Sequence, residues 1–313
     1  MTLARNTTPR GHVEVTRIGL GTGFLVGLFQ IDPQADSNAT VRAALDAGVN
    51  FFDTAPLYGR GQAERALGEA LQGVPRDAYV LQTKAGRTID GYNYSRDAIL
   101  RSVENSLKLL KTDRLDSVLI HDPDEDPPVQ PSHYQEVMDE ALPALYELRA
   151  QGVIKLIGAG MNQWQMEYEF AKNADVDCFL LAGRYTLLEQ ASLEFLDYCH
   201  KKDISIWLGG VFNSGILATG PRENARYQYK PAPAHILEKA TKIEAVCRRH
   251  GVALPVAAVH FVLAHPAVKA AVLGAQKPAE VRANVAVMDV TVPAQVWADL
   301  KAEGLIEPAS PTP

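Results

Sequence analysis

Cysteine is scarce: the 313 residues include three, Cys178, Cys199 and Cys247. They form no CxxC pair and are too few for a disulfide framework in a chain this long, which fits a reducing compartment. Long apolar runs are absent as well. Nothing approaches the roughly 18 consecutive apolar residues of a membrane-spanning helix. Met1 to Thr16 carries Arg5, Arg10, His12 and Glu14 without the apolar centre of a secretory leader. A cytoplasmic location is therefore expected. There is no basic block either. Lys and Arg number 31 against 37 Asp and Glu, a net charge of -6, so neither nucleic acid nor an anionic membrane is expected as a partner. With 47% hydrophobic and 22% charged residues, the composition excludes disorder and collagen-like repeats. The expected partner is a small, neutral or weakly charged molecule. Oligomeric state is not legible.

What is present is an alternation. Eight short runs rich in Val, Ile, Leu and Phe occur at Ile18–Gly21, Val49–Asp53, Tyr79–Thr83, Asp116–Ile120, Val153–Ala159, Cys178–Leu181, Ile204–Leu208 and Ala270–Leu273. Between them lie segments of helical period near Asn38–Ala47, Gln62–Gln72, Ser95–Leu110, Tyr134–Gln151, Gln163–Asn173, Glu189–Lys201, Pro233–His250 and Pro278–Val287. Strands read this way when crossover helices bury both faces of a parallel sheet. Eight β/α units predict a closed (β/α)8 TIM barrel spanning 1–313 as one domain, although two domains would also fit the length. A doubly wound open sheet is the alternative. It would normally carry GxGxxG in its first turn, and Gly19-Leu-Gly21-Thr-Gly23 lacks that spacing. Gly11–Arg17 is expected as an N-terminal hairpin plugging the barrel floor, Pro255–Ala264 and Ala294–Glu303 as extra helices, and 307–313 as a flexible tail. The connection Asn213–Ala232 is too long and too broken by Gly and Pro for a routine loop; after the seventh strand it lies on the C-terminal face, as a lid or ligand belt.

Chemistry in such barrels sits just past the strand ends. Asp53, Tyr58, Lys84 and His121 fall there, after strands two, three and four. Asp53 would hold a buried Lys84 charged, the ammonium would lower the pKa of Tyr58 from about 10 toward working pH, and His121 would orient an oxygen of the substrate. Singly, each residue has an ordinary structural role. Together, with Phe52-Asp53-Thr54-Ala55-Pro56-Leu57-Tyr58-Gly59 followed by Glu64, Leu67 and Gly68, they resemble the aldo-keto reductase family over nearly the whole chain. The resemblance implies a nicotinamide cofactor across the C-terminal mouth and hydride transfer to or from a carbonyl carbon. It also implies cofactor contacts at Gly21, Thr22, Asn162, Phe212, Asn213, Ser214, Leu217, Gly274, Ala275, Gln276, Glu280 and Asn284. Met161 stands where the family pairs a serine with the asparagine, and Gly209 where many members stack a tyrosine on the nicotinamide.

Glu280 falls where NADPH-using members often place an arginine. A carboxylate repels a 2'-phosphate and accepts a hydrogen bond from a free ribose hydroxyl, so NAD is expected, with NADP possible through Lys277. Positions that carry bulky aromatics in members acting on apolar carbonyls read Gly23, Gly86 and Asp122. A polyol is the substrate this suggests, held by Tyr58, His121, Asp122 and Arg87, with Phe24, Trp164 and Trp207 as aromatic candidates. The stretches GAGMNQW, LAGRYTLLEQ and GGVFNSGIL resemble the branch containing L-fucose (D-threo-aldose) 1-dehydrogenases and pyridoxal 4-dehydrogenases. The expected reaction is NAD-linked oxidation of an aldose to its lactone. Pyridoxal oxidation, general aldehyde or ketone reduction, and a non-catalytic cofactor-binding regulatory subunit are the alternatives. His121, Asp122, Asp124, Glu125 and Asp126 cluster in sequence, but the other strand ends offer Asp53, Lys84 and Asn162 instead of histidines, so no metal is expected. Cys199 and His200 are adjacent on a helix and point apart, which makes them structural.

Overall fold

The computed structural model describes residues 3–26, 36–123 and 132–313. Eight parallel strands close into a barrel whose spatial order follows the sequence. They are β1 (Ile18–Gly21), β2 (Phe51–Asp53), β3 (Val80–Ala85), β4 (Leu115–His121), β5 (Ile154–Met161), β6 (Cys178–Ala182), β7 (Ser205–Gly209) and β8 (Val268–Gly274). The connecting helices are α1 (Ser37–Asp46), α2 (Gln62–Ala70), α3 (Arg96–Leu110), α4 (Leu142–Ala150), α5 (Trp164–Asn173), α6 (Leu193–Lys201), α7 (Ala234–Arg249), α8 (Leu254–Leu263) and α9 (Pro278–Ala286), with α10 (Ala294–Ala302) added behind them. Each expected unit is present. The strands differ at their ends: β3 runs on to Ala85 and β4 to His121, so Lys84 and His121 lie within strands rather than past them. Among the described residues, no single helix is long and apolar enough to cross a membrane.

Strand alternation sorts side chains into two cores. On β3, Val80 faces the barrel interior, whereas Leu81 and Ala85 face the helices. The interior core is small and closed from below. An antiparallel hairpin, Arg5–Thr7 against Glu14–Thr16, covers the floor, reaching further toward the N-terminus than Gly11–Arg17. It inserts Val13 and Val15 against Phe51, Leu156 and Trp207. Asn50 anchors it, accepting from the Thr16 amide at 2.7 Å and donating to the Glu14 carbonyl at 2.9 Å. Outside, α2 and α3 touch backbone to backbone: a Cβ on Gly68 would lie 2.4 Å from the Leu109 carbonyl oxygen. The Pro-rich C-terminal residues are not loose. The Glu307 amide donates to Gln190 at 3.3 Å and Ser310 is buried, so this segment is packed onto the barrel rather than trailing as a flexible tail.

Candidate active site

The C-terminal ends of β2, β3 and β4 and the loop after β2 bring four titratable side chains together. Asp53 ends β2 in register with Gly21 of β1 on one side and Gln82 of β3 on the other. Lys84 reaches it from β3, donating to both carboxylate oxygens at 2.7 and 2.8 Å and to the Thr54 carbonyl at 2.9 Å. Both side chains are almost wholly buried. Such a pair must be closely matched, because an ion left alone in that environment costs several kcal/mol. A second carboxyl lies behind the strand: Glu64 of α2 accepts from the Thr83 hydroxyl at 2.7 Å.

Tyr58 is delivered by a tight turn. Gly59, Arg60 and Gly61 take positive φ in succession (54°, 57° and 81°), swinging the chain from β2 into α2. A Cβ at Gly59 would meet Val26 at 2.4 Å, so glycine is required there for space as well as conformation. The Lys84 ammonium lies 4.8 Å from the Tyr58 ring centroid, and the His121 ring packs edge-on to it at 5.8 Å. Asp53, Tyr58, Lys84 and His121 thus form one cluster. The electrostatics differ from expectation at Tyr58. Burial pushes its pKa up to about 12, outweighing the pull of Lys84 in the other direction. Desolvation would depress Lys84, but Asp53 and Tyr58 together hold it above its ordinary value. His121 is driven well below the usual histidine range by burial, then by the positive charges of Lys84 and Arg87. Its imidazole is neutral at physiological pH, and its Nδ1 has no partner among the described residues.

Beside His121 the wall is polar. Asp122, in a left-handed conformation with φ 44°, pairs with Arg87, and its Oδ2 lies 3.6 Å from His121 Nε2. Arg87 belongs to a short hairpin, Arg87–Thr88 against Gly91–Tyr92, and its guanidinium lies over the Tyr92 ring. The space vacated at Gly86 is filled from behind. Its positive φ of 98° and the Tyr94 ring, 2.3 Å from where a Cβ would stand, exclude any side chain. The Tyr94 hydroxyl is 2.8 and 3.0 Å from the carbonyls of His121 and Asp122 and fixes both. Tyr94 had no signal in the sequence beyond its aromaticity. Asp124, Glu125 and Asp126 lie outside the described residues, and among the described residues no group of three or more metal-ligating side chains occurs.

Around this cluster, the proposed cofactor residues sort into two groups. Gly21 and Gly274 pair across β1 and β8, with Phe24 packed over Gly274 and 44% exposed at the mouth. Among the described residues, the fully buried Thr22 hydroxyl and the buried Asn213 Oδ1 have no partner, while Asn213 Nδ2 donates to the Gly183 carbonyl. Asn162 donates to the Ala182 carbonyl at 2.7 Å. Asn213, Ser214 and Gly215 take consecutive positive φ, and the amides of Asn213 and Gly215 donate to the carbonyls of Gly210 and Phe212 within the loop. Gln276, Glu280 and Asn284 close the loop that opens α9: the Gln276 amide donates to Glu280 at 2.7 Å and Asn284 to the Gly274 carbonyl at 3.1 Å. The buried oxygens of Thr22 and Asn213, without partners among the described residues, suit the polar groups of a dinucleotide.

Other candidates are taken up by the protein itself. The side chains of Leu217 and Ala275 are core, Phe212 is partly buried against it, and the Leu217 amide donates to the Phe212 carbonyl. Trp207 is not a pocket residue. At 1% exposure it packs against Phe51 inside the barrel at 4.9 Å between centroids, because it points inward one layer below the mouth. Trp164 packs on the outer core. At Gly209 a Cβ would come within 3.1 Å of Leu180 Cδ2, so Leu180 takes part of the room a tyrosine would need. The long connection after β7 forms a hairpin, Arg226–Tyr227 against Lys230–Pro231, latched by the Tyr227 hydroxyl to Glu189 at 2.5 Å. The Tyr229 amide at its tip donates to Ser214 Oγ at 2.9 Å.

The sequence profile described as "Aldo/keto reductase family" matches residues 17–303. The chain belongs to this family. This aldo-keto reductase is 35% identical to pyridoxal 4-dehydrogenase of Microbacterium luteolum, over 95% of this chain and 96% of that one. It is 34% identical to D-threo-aldose 1-dehydrogenase of a Pseudomonas species, over 96% of each. Its fold is similar to the holo form of an aldo-keto reductase from Bacillus halodurans, with a TM-score of 0.79, 23% identity and coverage of 99% and 98%. Aldo-keto reductases are oxidoreductases that use nicotinamide cofactors, and the orphaned polar atoms at this mouth are compatible with one.

Proposed function

We propose that this aldo-keto reductase is an NAD-linked aldose 1-dehydrogenase that oxidises L-fucose or D-threo-aldose-type sugars to lactones. The observation that carries the reading is the half-buried Arg87–Asp122 pair beside His121, where a substrate hydroxyl would find both donor and acceptor. A site built to hydrogen-bond hydroxyls discriminates strongly against analogues lacking them. Bound nicotinamide supplies the hydride acceptor. The protein's residues handle the oxygen and its proton: neutral His121 orients the C1 hydroxyl, and Tyr58, as phenolate, takes its proton while Lys84 stabilises the charge. In reduction Tyr58 is the donor. Glu280, fixed by the Gln276 amide in the first turn of α9, supports preference for NAD over NADP.

Pyridoxal is the second reading, favoured by the exposed rings of Phe24 and Tyr229, which suit a flat aromatic substrate. A panel of aldoses, pyridoxal and aromatic aldehydes, assayed with each nicotinamide at neutral and alkaline pH, separates the two. Lactone formation with a higher kcat/KM for NAD is expected. Turnover confined to pyridoxal would overturn the sugar reading, and a higher kcat/KM with NADP would overturn the cofactor assignment.

A further inference from the structure

We infer that Gln82 is a positioning residue for the reaction, holding the Asp53 carboxylate from beneath so that Lys84 is shared between Asp53 and Tyr58. This rests on the proposed catalytic reading of that cluster. On β3, alternation turns Val80, Gln82 and Lys84 into the barrel interior, one above the other. Gln82 is fully buried, and its Nε2 donates to Asp53 Oδ1 at 2.8 Å. A carboxylate paired with an ammonium only accepts, so the amide nitrogen rather than its oxygen must face Asp53.

Asp53 Oδ1 therefore receives two donors, Gln82 from below and Lys84 from the mouth side. The other end of the amide does nothing comparable. Gln82 Oε1 is buried without a partner among the described residues, so the one link this side chain makes there is to Asp53 of β2, a strand that the backbone ladder already joins to β3. Of its interior neighbours, Val80 and Leu119 are apolar, and Ser117, its register partner on the next strand, is turned to Cys178 Sγ at 3.6 Å. An apolar side chain would fill the place without the cost of burying an amide. The one bond that offsets this cost ends on Asp53. Without it, the carboxylate would draw more fully on Lys84, and the ammonium would stabilise charge on Tyr58 less.

The test is Gln82→Met, which preserves length and approximate volume but removes the donor, beside Gln82→Glu, which sets a second carboxyl against Asp53. For the Met variant, kcat of oxidation is expected to fall about tenfold, with substrate KM and cofactor Kd within about twofold of wild type. Its rise with pH should be displaced upward by about one unit, the equivalent of that factor. Glu should be worse than Met. A packing role predicts the reverse order and no displacement. A substrate-free measurement accompanies these: the 15Nζ ammonium resonance of Lys84, assigned with Lys84→Met, should shift in Gln82→Met while the thermal midpoint stays near wild type. If wild type turns over no substrate in the panel, the catalytic reading fails and the resonance alone decides. An unmoved Lys84 resonance, or an unchanged kcat and pH profile in an active enzyme, overturns the inference.

Discussion

At Tyr58 two effects of opposite sign meet, and the structure decides between them. The charge of Lys84 alone predicts a lowered pKa; burial prevails and pushes the phenol up to about 12. The consequence is directional. Tyr58 is protonated across the ordinary pH range, so in the proposed mechanism it is ready as a donor in carbonyl reduction, while oxidation needs its scarcer conjugate base. Oxidation at saturating cofactor should therefore keep climbing beyond pH 9; a plateau by pH 8 would refute the assignment. Tyr58→Phe should lower kcat by about 10² to 10⁴, the usual worth of a positioned acid or base, with cofactor affinity nearly unchanged. All four members of the cluster were legible because they fall at strand ends within a dense motif. Gln82 and Tyr94 were not. Each reads as an interior strand or loop residue, and its role depends on a contact far along the chain, to Asp53 or to the backbone of His121 and Asp122.

Elements explain why those side chains converge, and where they are vulnerable. Hydrophobic period identified every barrel strand, but strand ends depend on ladder bonds that a pattern does not reveal. Hence β3 extends two residues past its apolar run and carries Lys84 inside the ladder. The turn after it depends on Gly86. Gly86→Ala would force a left-handed alanine into the Tyr94 ring, a change expected to displace Asp122 and raise substrate KM at least tenfold, measurable in steady-state kinetics. On α5, Glu167 is completely buried, and burial raises its pKa well above the usual carboxylate value against the opposing pull of the Met161 backbone amide. A raised folded-state pKa means that the folded protein holds a proton that the unfolded chain releases. Stability is then lost as pH rises from the unfolded value toward the folded one, by about 1.4 kcal/mol per unit. Glu167→Gln lacks this slope, so its advantage in thermal denaturation should widen above about pH 4.5; a pH-independent difference would show that the carboxyl is not protonated.

For the whole molecule, composition bounded the answer and topology completed it. Eight repeating β/α units pointed to one barrel, and the closed sheet bears this out. The pinned C-terminal residues and the full reach of the N-terminal hairpin escaped, because both are fixed by contacts made only after the barrel has closed. Ligand binding to the assembled mouth should stabilise the whole fold by mass action, by about 2.7 kcal/mol at a hundredfold excess over Kd. On the proposed preference for NAD, NAD should raise the thermal midpoint more than equimolar NADP; the opposite ranking would count against Glu280 as the discriminator.

The floor hairpin has a further bearing on the site above it. Val13 and Val15, backed by Phe51 and Trp207, seal the lower end of the tube with hydrocarbon, leaving the Asp53–Lys84 pair nearly dry. A remote ribbon therefore acts as electrical insulation. Were water admitted from below, the higher dielectric would weaken every charge interaction in the cluster, without a single reacting group having moved.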